Sequence, residues 1–381
     1  MTNNISYEAA GVNIDTANDT KEKFKEIVSS PDQSISHCKP LNKVGAFASL
    51  VEIGLKDYKE PVFVLKTEEP GSKQLLSINN DKIEWIARDL INHLIDDIIV
   101  MGAAPCAVLD TIICGKFEKD TILKLVGEIS KACAENGCLL VGGETSEQPG
   151  VLLEGRYVLQ ASVLGIVEKS KIIDGAKIKC GDVLIALASN GLHTNGYSLV
   201  RKLMESHPEI LDEKIAPCHC GLDPQSCEMP EQIRHDGETQ SFLHAILQPH
   251  TSYANAVKNI LGKYTESIHG MAHITGGGIY DNLSRIIHSE DLQANVDLSK
   301  IKIPPVFGVI KKYANVGDDE MLKTFNCGVG IIVVADEKDA DGTIDAVKSV
   351  GIDAYRIGEV GDACLNILRK VNLYGKLNWG I

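Results

Sequence analysis

The chain has 381 residues, of which 44% are hydrophobic and 24% charged, a balance typical of a globular protein with two domains. Its formal net charge of -14, with no basic tract, argues against nucleic acid as a partner, because a polyanion would be repelled. Residues 1–10 lack the basic and then apolar layout of a secretory signal, and no apolar run reaches the roughly 18 residues of a membrane span. We therefore expect a cytoplasmic protein with no membrane partner.

The first part of the chain predicts alternating helices and strands. Between residues 82 and 100, apolar side chains recur at three- and four-residue spacing, which predicts a long helix with one buried stripe and with Asp97 at its edge. The other expected elements are helices near 21–28 and at 118–136, and strands within 44–53 and at 61–66, 107–113, 138–141 and 156–167. The strand at 61–66 leads into the loop 67–73, and the strand at 138–141 is expected to end at Gly142 and Gly143.

A polar, turn-rich segment at 168–179 predicts a domain boundary, so residues 1–168 and 169–381 are expected to form separate domains. The same alternation returns in the second domain. Its expected elements are strands at 182–188, 271–274, 329–335 and 354–357, a helix that starts at Tyr197 and a helix that runs through residue 347.

Residues 212–240 interrupt this rhythm, with three cysteines, two histidines and three prolines but no hydrophobic period. This composition predicts a surface insertion. The spacing of Cys218, His219, Cys220, Cys227 and His235 matches no common structural zinc motif, so an irregular loop is favoured over a zinc site. The eleven cysteines of the chain form no Cys-x-x-Cys pair, and most are expected to be reduced and buried.

Three predicted strand ends carry glycine-rich turns beside polar groups. A strand, a glycine-rich turn and a helix together present backbone N–H groups to a phosphate. Glu144 follows Gly142 and Gly143, His193 and Asn195 lie in a turn before a helix, and His273 precedes Thr275, Gly276 and Gly277. Glycine pairs after strands are also common turn chemistry, but the repeated polar neighbours favour sites for anionic phosphates.

Four long runs resemble the signatures of one enzyme family. Residues 142–150 resemble G-G-E-T-A-E-M-P-G, 190–199 resemble S-G-x-H-S-N-G-Y-S-L, 270–278 resemble G-x-A-H-I-T-G-G-G, and 324–330 resemble T-F-N-M-G-V-G. The opening at 7–15 is similar to Y-x-x-A-G-V-x-I-D. These are motifs of the phosphoribosylformylglycinamidine cyclo-ligases, also called aminoimidazole ribotide synthetases. The resemblance covers nearly the whole chain, in order, apart from the insertion.

The resemblance implies an α+β protein with the two-domain PurM-like fold. Its N-terminal sheet domain would pair in a homodimer, and its C-terminal domain would be an α/β sandwich with the insertion at about 212–240. The implied substrates are formylglycinamidine ribonucleotide and ATP, with Mg²⁺. In the family's reaction ATP phosphorylates the formamide oxygen, and the amidine nitrogen then attacks that carbon to close the imidazole ring.

The resemblance also implies roles for individual residues. Asp97 and Glu144 would contact magnesium, against the alternative of solvated carboxylates, and Lys73 would approach the ATP phosphates unless it is a surface lysine. His193 and His273 would contact substrate or phosphate, or move a proton. The remaining implied groups position ATP or substrate: Glu68, Gly71, Gly142, Gly143, Thr145, Asn195, Thr275, Gly276 and Gly277.

The chain departs from the family in the first of its expected phosphate loops. Members carry T-D-G-V-G-T-K where this chain has Thr-Glu-Glu-Pro-Gly-Ser-Lys at 67–73, so Glu69 replaces a glycine and Pro70 lacks an N–H. Asp96 also stands where members usually have Asn. Two alternatives therefore stay open. One is another PurM-like enzyme, such as thiamine monophosphate kinase, selenophosphate synthetase or the hydrogenase-maturation dehydratase, and the other is a non-catalytic nucleotide-binding dimer.

Overall fold

The computed structural model describes residues 23–24, 26–28, 37–42, 45–216, 239–363 and 369–380. These residues fall into two compact units, the first made of those up to Ile99 together with 103–170, and the second of 100–102 together with those from 171 onward. Residues 23–24 and 26–28 are helical, in agreement with the helix expected near 21–28. In the described part of the chain, no helix has the length and apolar content that a membrane crossing requires.

The first unit contains a four-stranded sheet and helices that pack on it. The strands of the whole unit are β1 (Cys38–Pro40), β2 (Val51–Ile53), β3 (Pro61–Glu68), β4 (Ala104–Cys114), β5 (Leu139–Glu147) and β6 (Tyr157–Glu168). Its helices are α1 (Lys73–Asn79), α2 (Ile83–Ile99) and α3 (Lys119–Glu135). The sheet order is β3-β6-β4-β5, in which only the β4–β5 pair is parallel, while β1 and β2 form a separate antiparallel ribbon.

The two faces of this sheet differ because successive side chains of a strand point to opposite sides. Helix α2 packs against β3, β6 and β4, and its apolar stripe is buried as the periodicity predicted. On the opposite face Phe63, Leu65 and Leu109 are 51%, 76% and 46% exposed. The β1–β2 ribbon packs on part of this second face, against Ala107 and Ile166. The first unit therefore has one face covered by helices and one face that is open around these three apolar side chains.

Two predicted strands of the first unit have different bounds in the structure, and one helix was missed. The strand expected within 44–53 is confined to Val51–Ile53, since residues 45–48 form a turn and bends in which Gly45 adopts φ 100°. The short helix α1 was not predicted, because it directly follows a proline- and glycine-containing loop. The strand expected at 138–141 does not end at the glycines but continues to Glu147 as β5.

The second unit is built on a six-stranded sheet of order β10-β12-β7-β13-β11-β14, antiparallel except for β11–β14. Its strands are β7 (Val183–Ala188), β8 (Lys214–Ile215), β9 (Gln240–Ser241), β10 (Ile268–His273), β11 (Leu292–Asp297), β12 (Val329–Ala335), β13 (Ala354–Asp362) and β14 (Val371–Tyr374). Its helices are α4 (Tyr197–Ser206), α5 (Phe242–Leu247), α6 (Ala254–Tyr264), α7 (Gly278–Ser284), α8 (Pro305–Ala314), α9 (Asp318–Thr324) and α10 (Ala340–Lys348). Every residue of β10, β12 and β7 is buried, so both faces of this sheet are covered along these three neighbouring strands.

Most of the predicted insertion, residues 217–238, lies outside the described residues, and so do all five candidate zinc ligands there. Its two ends are held together by the β8–β9 ladder, which pairs Lys214 with Ser241 and Ile215 with Gln240. The described cysteines are free thiols, and all are buried except Cys180, which agrees with the prediction for most of them.

Candidate active site

In the first unit, a lysine lies between two acidic side chains that the sequence singled out. Lys66 Nζ on β3 is 2.8 Å from Asp97 Oδ2 on α2 and 3.1 Å from Glu68 Oε2, and His93 Nε2 is 3.7 Å from the same Glu68 oxygen. Burial opposes the charge of Lys66, but hydrogen bonds and charges from Asp97 and Glu68 raise its pKa overall. The two carboxylates thus create a place where a cation is stabilised, and carboxylate oxygens are the ligands that Mg²⁺ prefers.

Lys73, assigned to the ATP phosphates by resemblance, is enclosed in the first unit instead of lying at its surface. Its side chain is 0% exposed, and Nζ donates to Asp89 Oδ1 of α2 at 2.7 Å. Burial lowers the pKa of Lys73, while the charge of Asp89 opposes that shift. In the loop before it, Gly71 adopts φ 59°, whereas Glu69 does not need a left-handed backbone.

The glycines at 142 and 143 do not form the turn that the sequence predicted, because both lie inside β5. A Cβ on Gly143 would come within 1.6 Å of Asp110 Oδ1, and one on Gly142 within 2.5 Å of Ser49 Oγ. Gly143 therefore needs to be glycine, since a Cβ there would also come within 2.6 Å of the Asp110 carbonyl, whereas at Gly142 a turn of the Ser49 side chain would relieve the contact.

Glu144 and Asp97 lie on opposite faces of the first sheet. Gly143 pairs with Asp110 of β4, so both residues point to the same face of the sheet. Because Asp110 is buried, this is the face that α2 and α3 cover. Alternation along β5 then places the exposed Glu144 on the open face and Thr145 on the helix-facing side. Within the first unit, the structure therefore does not bring together the two residues that resemblance assigned to magnesium.

Asp110 was missed in the sequence, where it sits inside an otherwise apolar strand. Its carboxyl is buried beside Gly143, and Oδ2 has no hydrogen-bond partner among the described residues. Burial raises the pKa of Asp110 from 3.8 to about 7, so the folded protein holds it protonated below neutral pH.

Asp110→Asn is expected to change how the stability of the protein depends on pH. The folded-state pKa of Asp110 is above its unfolded value, so the native protein binds the extra proton and loses stability as pH rises from about 4 through about 7. Each pKa unit corresponds to about 1.4 kcal/mol, which makes the loss a few kcal/mol. Urea unfolding of both proteins at pH 5 and pH 8 should show the asparagine variant gaining stability relative to wild type at pH 8. An equal difference at both pH values would contradict a protonated Asp110.

In the second unit, the turn between β7 and α4 holds His193 in a constrained position. His193 has φ 59° and is 1% exposed. Asn326 fixes this turn, because its Nδ2 donates to the Gly191 carbonyl at 2.9 Å and its Oδ1 accepts from Ser189 Oγ at 3.1 Å. The run at 324–330, singled out by its sequence, thus shapes the turn that carries His193.

Three buried histidines meet near this turn. The rings of His193 and His250 stack with centroids 3.9 Å apart and an interplanar angle of 23°. His250 Nε2 lies 3.3 Å from His273 Nε2, which comes from the last residue of β10. The structure therefore brings together the two histidines predicted from the sequence and adds a third, His250, which stands in a short segment between α5 and α6 without a recognisable motif.

The other predicted groups of the second unit lie next to these histidines. Asn195 Nδ2 is buried and has no hydrogen-bond partner in the described part of the chain. A Cβ on Gly276 would meet its Oδ1 at 3.4 Å, an ordinary contact, so Asn195 lies beside this loop. Asn282 Nδ2 donates to the carbonyls of Thr275, Gly276 and Gly278, at 3.4, 3.2 and 2.8 Å, which holds the loop in place. Gly277 needs its left-handed φ of 91° to begin α7.

Comparison with protein families gives matches in both parts of the chain. Residues 55–167 match the N-terminal domain of AIR synthase related proteins, and residues 228–369 match the C-terminal domain. A phosphoribosylformylglycinamidine cyclo-ligase of Neisseria meningitidis is 36% identical over 358 residues, which cover 94% of this chain and 96% of the relative. The enzyme of the same name from Alkaliphilus oremlandii is 34% identical over 364 residues, covering 96% of this chain and 99% of that one.

Solved structures agree with the fold predicted from the sequence. Escherichia coli HypE superposes with a TM-score of 0.62 at 14% identity, covering 94% of each chain. Thiamine-monophosphate kinase from Stenotrophomonas maltophilia gives a TM-score of 0.56 at 14% identity, covering 94% of this chain and 96% of the other. At such low identity these likenesses concern the fold alone, and with the two matched domains they confirm the predicted two-domain PurM-like architecture.

Proposed function

The chain belongs to the phosphoribosylformylglycinamidine cyclo-ligase family, and from that membership we propose that it closes the imidazole ring of aminoimidazole ribotide. Its substrates would be formylglycinamidine ribonucleotide and ATP, and its products aminoimidazole ribotide, ADP and phosphate. ATP converts the formamide oxygen into a leaving group, and the amidine nitrogen attacks the same carbon. The protein must hold nitrogen and carbon together and accept the proton that the nitrogen loses.

The observation that supports this proposal most is the meeting of His193 and His273 in the second unit, beside an Asn195 amide whose Nδ2 has no hydrogen-bond partner among the described residues. A neutral imidazole can accept the proton released on ring closure at its unprotonated ring nitrogen and pass it on. The buried N–H groups of Asn195 would donate to an oxygen of the substrate. His193 and His273 are therefore our candidates for proton transfer, with Asn195, Thr275, Gly276 and Gly277 as positioning groups.

We assign the carboxylates of Asp97 and Glu68 to a magnesium ion that accompanies ATP. They fit this role because Lys66 already occupies the point between them as a cation, at 2.8 and 3.1 Å. A bound magnesium ion would neutralise charge on the phosphates during phosphoryl transfer. Lys66 would then be free to turn toward a phosphate oxygen. Glu144 faces the open side of the sheet, where it would act only on a ligand or partner bound there.

We further propose that the protein works as a cytoplasmic homodimer with domains at 1–168 and 169–381. The open face of the first sheet carries exposed Phe63, Leu65 and Leu109, and large apolar side chains clustered on one face are typical of an interface. A second copy that covers this face would bury them and would also approach Glu144. Size-exclusion chromatography with light scattering measures this directly, and a monomer at micromolar concentration would contradict it.

Turnover is the direct test of the proposed reaction. Purified protein incubated with ATP, magnesium and formylglycinamidine ribonucleotide should form aminoimidazole ribotide and ADP in equal amounts, and omission of ATP or magnesium should abolish product. Thiamine monophosphate is the matched control substrate, because a PurM-like kinase would phosphorylate it. ATP consumption without an imidazole product would contradict the cyclo-ligase assignment and would favour another PurM-like activity.

A further inference from the structure

We propose that His193, His250 and His273 form a binding site for a divalent ion of the zinc class. Each histidine offers one ring nitrogen, and the three nitrogens lie within 4.8 Å of one another. The side chains come from the turn after β7, from the segment between α5 and α6, and from the end of β10, so all three belong to the second unit.

The spacing suits a tetrahedral ion. Zinc binds histidine nitrogen at about 2.0–2.1 Å, which places two nitrogens of one tetrahedral centre about 3.3 Å apart. His250 Nε2 and His273 Nε2 are already 3.3 Å apart. In the ion-free protein one of these nitrogens donates a hydrogen bond to the other, and an ion would replace that shared proton.

The chemistry of the donors selects the ion. The three ligands of this group are imidazoles, and imidazole favours zinc, nickel and copper, whereas magnesium prefers oxygen. The three side chains are 1%, 1% and 6% exposed, so little water competes for the ion once it is bound. Three protein ligands leave a fourth tetrahedral position open for water or an oxygen of a ligand.

One ring must turn before the site closes. His193 and His250 stack with an interplanar angle of 23°, so their in-plane lone pairs do not yet point to a common centre. Rotation of one ring about its side-chain bonds redirects a nitrogen without moving the backbone. The stack itself keeps the two rings within reach of one ion.

Occupation of the site would inhibit the enzyme, a consequence that depends on the proposed function. His193 and His273 cannot accept a proton while their ring nitrogens ligate an ion. Micromolar zinc in the presence of excess magnesium is therefore expected to lower turnover, and a chelator should restore it.

The test of the site itself uses binding, so it stands whether or not the cyclo-ligase reaction is found. Because Cys218, Cys220 and Cys227 lie in the insertion and could bind zinc on their own, all proteins are prepared with these three residues changed to serine. Metal-free full-length protein is titrated with cobalt, whose visible absorption reports tetrahedral ligation, and zinc is then used to displace it. One ion per chain is expected.

His250→Gln is expected to weaken zinc binding by more than the roughly 10–100-fold that loss of an outer-shell partner costs. His269→Gln is the matched control, since His269 is another buried histidine of β10 but bonds to Asp182 at 2.8 Å outside the cluster. Equal zinc affinity in wild type and His250→Gln would overturn the proposal. If His250→Gln fails to fold, the imidazole NMR signals of the wild type decide, because one equivalent of zinc must shift those of three histidines.

Discussion

Replacing Lys73 by alanine is expected to lower the free energy of unfolding by about 3–5 kcal/mol, because the change removes the cation of a buried ion pair and leaves a cavity in the interior. Lys73 and Asp89 are both 0% exposed and 2.7 Å apart. The pair thus ties the start of α1 to α2, and its loss should be seen first in the melting temperature and in urea unfolding. Any effect on the ATP KM should follow from that loss of structure.

Lys66→Ala is the matched control for this prediction. Lys66 also pairs with an aspartate of α2, but its side chain is 37% exposed, so its removal should cost no more than about 1 kcal/mol. The double change Lys73→Met with Asp89→Leu should recover much of the lost stability, because apolar side chains of similar size leave no buried charge. A Lys73→Ala protein of unchanged stability with a raised ATP KM would instead place Lys73 at the nucleotide, as the resemblance implied.

Predictions for regular elements succeeded where a hydrophobic period was long or an apolar run was uninterrupted. The stripe at 82–100 predicted α2, and the run at 329–335 matches β12 residue for residue. Predictions failed where tertiary contacts override local chemistry. Gly142 and Gly143 look like a turn, but pairing with Leu109 and Asp110 of β4 makes them strand residues, and no local pattern reveals that pairing.

The residues of the candidate site also divide into those that a sequence pattern predicted and those that only the fold reveals. His193, Asn195 and His273 were found because they lie in long signature runs beside glycines. His250 and Asp110 were missed because each is a single polar residue in a short or apolar segment, and only the fold brings it to His273 or to Gly143. The opposite faces taken by Asp97 and Glu144 depend on strand register, which the sequence does not specify.

His193→Asn is expected to lower kcat of the cyclo-ligase reaction by about 10²–10⁴, the range that a lost general acid or base accounts for. Asparagine is chosen because it tolerates the left-handed backbone of His193, at φ 59°, better than other residues do. The variant removes the imidazole and its stack on His250 while keeping a polar side chain of modest size. Steady-state kinetics with formylglycinamidine ribonucleotide and ATP, together with a melting curve, measure both effects.

The matched control for this change is His269→Asn, because both histidines are buried in the second unit but only His193 lies beside His250 and Asn195. His269 bonds to Asp182 at 2.8 Å, so its replacement should lower the melting temperature and leave kcat of the folded fraction near that of wild type. His193→Asn should instead lower kcat and leave the melting temperature near that of wild type. Since a proton acceptor acts on the step after substrate binding, its loss should lower kcat while the KM for formylglycinamidine ribonucleotide changes little. A His193→Asn enzyme with wild-type kcat would mean that the imidazole has no part in proton transfer, and His273 would become the remaining candidate.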